Sequence, residues 1–236
     1  MNKDMKYSAT DKMGDLICGN YNLLLVMSRF GLSLGFGDKT VEQVCEQQGV
    51  HTGTFLAVVN FMDDECGVSD EHYQQVSIDA LISYLRQAHS YFLDFNLPAI
   101  RRKLIAAIDC SLNDVAFLIL KFFDEYVHEV RAHMEYENRV VFEYVDKLLR
   151  EKKTQDGYNI KVFAERHNQI EVKLTELKNI IVKYYPANAN NNLLNSVLFD
   201  IYSCEKDLCS HCRVEDYMFV PLIMEFENKM QHDARG

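Results

Sequence analysis

A chain of 236 residues is long enough for one sizeable domain, or for a domain with a small appendage. Its formal charge of -10 leaves no basic face for nucleic acid. Its longest apolar stretch, Val115 to Phe123, is broken by Lys121 and is too short to cross a bilayer. Seven cysteines without dense spacing predict reduced thiols, and the polar start MNKDMKYSATDK predicts a cytoplasmic protein with no secretory leader.

With three Pro and ten Gly, the chain leans towards helices with short connections. Asp15 to Phe30 predicts a short amphipathic helix, interrupted by Gly31, Gly35 and Gly37. Thr40, with Gln43 three residues on, predicts an N-cap and capping box ahead of Val44. A turn at Gly49 and a helix from Thr54 to about Asp64 follow, so residues 1–75 read as a small helical N-terminal domain ending in a linker, Gly67 to about Val76.

Residues 76–236 carry a longer helical pattern. Ile78, Leu81, Ile82, Leu85 and His89 fall at spacings of three and four, placing His89 on the apolar stripe of a first helix that Pro98 bends or restarts. A break at Cys110 to Asn113 precedes a second helix to about Glu151, and Thr154 to Gly157 form the next turn. A third helix runs from about Ile160 to Tyr185, stopped by Pro186. The turn Asn188 to Asn192 leads into a fourth, ending near Met230. The expectation is an all-α protein, an antiparallel four-helix bundle with a small helical N-terminal domain.

Within the bundle one pattern of ligand-type residues occurs twice, 78 residues apart. His89, His133 and Glu137 in the first copy map onto His167, His211 and Glu215 in the second, and in each copy the lone His precedes H-x-x-x-E by 44 residues. Residues four apart share a helix face, so each His–Glu pair points one way. Buried polar groups satisfied by hydrogen bonds are the plain alternative. Six inward polar groups in matched register are costly without a cation, which favours a two-metal site. Imidazoles with carboxylates that can bridge, and with positions left open, suit non-haem iron better than structural zinc; manganese and zinc are the other occupants to consider.

The residues LRQAH with His89, HMEYE with Phe142 downstream, AERHNQ with His167, and HCRVE leading to Phe219-Val220-Pro221 resemble the hemerythrin-like di-iron proteins of the repair-of-iron-centres family. That resemblance implies His89, His133, His167 and His211 as terminal ligands of two Fe ions, bridged by Glu137, Glu215 and an oxo group. It implies a role in nitrosative and oxidative stress, with nitric oxide bound or reduced, and repair of an iron–sulfur client protein. The family's vicinal Cys-Cys pair is absent, since Gly35-Phe36 stand in its place. A module that senses dioxygen or nitric oxide, and an iron donor without turnover, are the alternatives to an enzyme.

Glu129, one turn before His133, is the candidate proton donor, with an ordinary helix charge as its plain reading. Cys209 and Cys212 flank His211 as C-x-x-C. Inside a helix that spacing reads as buried or half-buried thiols before redox chemistry. Of Tyr126, Tyr136, Tyr144 and Tyr217, most are expected to fill core or interface space. The N-terminal domain is a candidate surface for homodimerisation.

Overall fold

A computed structural model of the chain describes residues 6–63, 75–108, 114–151, 158–164, 171–185 and 191–233. Among them there is no β-strand, only an isolated antiparallel bridge between Lys12 and Thr40. The expected linker at Gly67 to Val76, the breaks at Cys110 to Asn113, Thr154 to Gly157 and Asn188 to Asn192, and His167 lie wholly or largely outside the described residues.

The N-terminal helices are α1 (Met13–Gly19), α2 (Leu23–Arg29), α3 (Val41–Gln47) and α4 (Thr52–Asp63). The single helix expected over Asp15 to Phe30 is therefore two. Asn20 takes an extended φ of -148°, and its side-chain oxygen accepts from the Asn22 N–H at 3.1 Å, closing a turn that helix would have to break. Thr40 caps α3 with the full capping box: its hydroxyl accepts from the Gln43 N–H and the Gln43 side chain accepts from the Thr40 N–H. Gly49 turns the chain at φ 69°, a conformation glycine adopts without strain.

The remaining helices are α5 (Ile78–Ser90), α6 (Leu97–Ala107), α7 (Asp114–Tyr136), α8 (Phe142–Glu151), α9 (Ile160–Ala164), α10 (Glu171–Tyr184), α11 (Asn191–Val214) and α12 (Val220–Asp233). On α7 the buried positions are Ala116, Ile119, Phe123, Tyr126, Val130 and Met134. On α11 they include Leu194, Val197, Ile201, Cys204, Leu208 and Cys212. These two stripes match position for position at the 78-residue offset, so the repeat extends from the ligand-type residues to the apolar face that carries them.

Among the described residues, three π-helical turns, Tyr91–Asn96, Glu137–Val141 and Glu215–Phe219, join α5 to α6, α7 to α8 and α11 to α12. In each, an N–H reaches back five residues: Leu97 to Phe92, Phe142 to Glu137 and Val220 to Glu215. Pro98 and Pro221 follow two of them and remove the donor that would bond the carbonyl four residues back. No proline follows the middle one; Glu143 stands at the position equivalent to Pro221.

By compactness the chain forms two units, Met1–Ala88 with Val145–Lys161 and Arg213–Gly236, and His89–Tyr144 with Val162–Cys212. In the first, α2 packs on α1 and α4, and Phe30 meets Phe55 edge-on at 5.5 Å and Tyr84 at a tilt at 4.8 Å. In the second, four helices close a ring. Arg101 pairs with Asp124 in a two-point bond at 2.6 and 2.8 Å (α6 to α7), and α7 packs on α10. Lys178 and Thr175 meet Glu205 (α10 to α11), and Lys103 meets Asp200 (α6 to α11). The Arg101–Asp124 and Lys103–Asp200 pairs are partly exposed and add little stability, whereas Lys178 is buried; all of them mark which helices are neighbours.

Candidate metal centre

The π turns and the ligand-type residues coincide. His89 is the penultimate residue of α5, two residues before the first π turn, and Glu137 and Glu215 each open one. His133 and Glu137 lie one turn apart on one face of their helix, as do His211 and Glu215. His89, Glu137, His211 and Glu215 are all buried, and their ligand atoms all lie within 4.8 Å of one another. The His89 Nε2 is 3.1 Å from the His211 Nε2 and 3.2 Å from a Glu137 carboxylate oxygen; the other oxygen is 2.7 Å from the His133 Nε2.

A hydrogen bond decides what His89 offers. Its Nδ1 lies 3.1 Å from the Asn138 side-chain oxygen, which can only accept, so Nδ1 donates there and Nε2 is turned into the cluster. That nitrogen faces a Glu137 carboxylate oxygen and the His211 Nε2, so three ligand-type atoms converge. The side chains of Glu137 and Glu215 are 0 % exposed, and by the general scale of ion desolvation burying a carboxylate costs several kcal/mol that an opposing charge must offset. Divalent cations offset the charge, so the donor set fits a metal centre of mixed imidazole and carboxylate ligands.

Aromatic rings frame the cluster. Phe142 stacks on His89 at 5.6 Å with planes 15° apart, and Phe92 meets His211 edge-on at 5.8 Å. Phe142 and Phe92 are buried, so both imidazoles are held in fixed orientations with water excluded from these faces. His133 differs from its register mate: its side chain is 19 % exposed, against 1 % for His211.

The structure thus brings five of the seven expected site residues into one cluster. His167 lies outside the described residues, and Glu129 is exposed, lining an open depression along α7 with Phe117, Lys121, Asp124 and His128. Asn138 was not anticipated; the signal available in sequence was its place directly after Glu137, matched by Asp216 after Glu215. Cys204 and Cys212 are buried and form no disulfide, and Cys209 is half-buried, as the packing reading of the C-x-x-C expected. Tyr126 is buried against this part of α11. Burial, then the nearby Cys204 and Cys212, pushes its phenol far above the usual range, so it stays protonated. Tyr144 is also buried, whereas Tyr217 is exposed.

Among the described residues no helix is long and apolar enough to cross a membrane. No curated protein and no solved structure matches the chain. The hemerythrin HHE cation binding domain matches residues 80–223, more than half of the chain. That span takes in every residue of the repeated pattern and the buried His and Glu cluster, and the all-α, metal-binding protein therefore belongs to the hemerythrin HHE cation-binding family.

Proposed function

We propose that the protein is a cytoplasmic di-iron stress-response protein of the repair-of-iron-centres type, binding nitric oxide and reducing it. His89, His133, His167 and His211 would be the terminal ligands, and Glu137 and Glu215 the bridges. The observation that carries the reading is the contrast within the cluster: four buried groups converge, while His133, among the described ligand-type residues, keeps a solvent-exposed edge. A buried donor set holds metal, and the exposed edge admits a small ligand such as nitric oxide or dioxygen. When bound, two ferrous ions supply the two electrons that coupling of two nitric oxide molecules to nitrous oxide and water requires.

The chain's own residues do the rest. Phe142 and Phe92 hold the imidazoles and exclude water, and Asn138 accepts from the His89 Nδ1 and turns its Nε2 into the cluster. Glu129, exposed and one turn before His133, delivers the two protons from solvent. Residues 1–75, a small helical domain without the family's Cys-Cys pair, would serve as a contact surface for an iron–sulfur client or a second copy.

The test is anaerobic: ferrous-loaded protein is mixed with nitric oxide and nitrous oxide is measured. Turnover that His133→Ala abolishes, with helicity intact, supports the enzyme. A stable nitrosyl adduct without product would instead favour a sensor, and ready transfer of iron to an apo iron–sulfur protein an iron donor.

A further inference from the structure

Glu215 and the π turn it opens belong to the same compact unit as the N-terminal helices, and one aromatic ring of those helices rests on that turn. The ring is Phe61 of α4, which is 3 % exposed. The Arg213 guanidinium lies over it, 5.1 Å from the centroid and within cation–π range, and the Tyr217 ring meets it at a tilt at 6.5 Å. Arg213 and Tyr217 stand two residues before and two after Glu215, so both leave the helix on the side away from the carboxylate. Phe61 therefore backs the turn from behind. The helix that carries it is fixed near both ends. At the start of α4 the Thr54 hydroxyl accepts from the Ser77 N–H at 2.8 Å; near its end the Asn60 side chain accepts from the Tyr7 N–H at 2.9 Å and donates to the Tyr7 carbonyl at 3.0 Å.

We propose that Phe61 is a positioning residue for Glu215: braced against Arg213 and Tyr217, it holds the π turn and keeps the carboxylate at the metal centre. A π turn competes with the plain α turn that the rest of the helix adopts. Reversion would rotate the chain after Glu215 against the chain before it, and the carboxylate could not keep its place. A rigid ring touching a residue on each side of Glu215 opposes that rotation. The proposal rests on the reading of Glu215 as a ligand, and it gives the N-terminal helices a part in retaining the ion.

The experiment uses the full chain loaded anaerobically with ferrous iron, counted by metal analysis, then mixed with an excess of a ferrous chelator. Phe61→Leu keeps apolar bulk at the position and removes the ring that Arg213 and Tyr217 meet. It should hasten iron release roughly tenfold, the lower end of what changes behind a metal ligand cost in affinity. A role in core packing alone predicts release at the wild-type rate. Val44→Ala opens the buried core of the same helices at α3 and controls for general loosening; it should lower the melting temperature and leave release unchanged. Circular dichroism on each variant checks folding. Wild-type release from Phe61→Leu, or equal hastening by Val44→Ala, overturns the proposal while leaving Glu215 as a ligand. Glu215→Gln tests the reading beneath it: iron bound and released by that variant as by the wild type overturns both.

Discussion

Replacing Glu137 by glutamine changes the sign of its effect on stability according to whether metal is present. The side chain is 0 % exposed and lies between the imidazoles of His89 and His133, at 3.2 and 2.7 Å. In the metal-free protein its negative charge is a burden. Removing one partner of a buried ion pair costs about 3–5 kcal/mol only where the other charge is trapped. Here the two neighbours are imidazoles rather than permanent charges, and one of them, His133, is 19 % exposed. Metal-free Glu137→Gln should therefore melt at or above the wild-type temperature. With ferrous ion at about a thousand times its dissociation constant, a folded-state ligand adds about 4 kcal/mol. At roughly 2–4 °C per kcal/mol for a chain of this size, the wild type should gain about 8–16 °C. The glutamine variant, lacking an anionic oxygen at the centre, should gain a small fraction of that. Anaerobic calorimetry of both proteins with and without ferrous ion reads the four temperatures. A metal-free variant melting several degrees lower, or a wild type unmoved by iron, would refute the argument that this carboxylate is kept for a cation.

Two further outcomes are expected in the N-terminal helices. Thr40→Ala removes the hydroxyl that accepts from the Gln43 N–H and should lower stability by about 1 kcal/mol, seen as a lower urea midpoint at unchanged slope. Cys45 is fully buried, and burial pushes its thiol from 9.0 up to about 11. The folded state then holds the proton more tightly than the unfolded chain. Its contribution is present below about pH 9 and is lost as pH rises towards 11, by roughly 2–3 kcal/mol. The stability difference between wild type and Cys45→Ala should shrink by that amount across this window; a flat difference would show that the thiolate is not excluded.

Local rules made much of the molecule legible. Spacings of three and four placed His89, Glu137, His211 and Glu215 on inward stripes, because a residue's face on a helix depends only on its neighbours in sequence. The capping box at Thr40 was readable for the same reason: both of its hydrogen bonds close within four residues. The split of Asp15 to Phe30 into two helices was missed because apolar periodicity runs through Asn20 to Asn22, while a side-chain turn breaks the backbone there.

The pattern of ligand types and its 78-residue register were determined by sequence alone, and with them the helical fold and the chemistry of the donor set. Only the tertiary structure decided that Glu137 and Glu215 open π turns, since a widened turn leaves no mark on a 3.6-residue pattern and the middle one has no proline to announce it. Tertiary packing alone paired Asn138 with His89, 49 residues away, and left His133 open where its register mate is closed. Periodicity says which way a side chain points; what it meets, and whether water reaches it, depends on helices distant in sequence that pack against it.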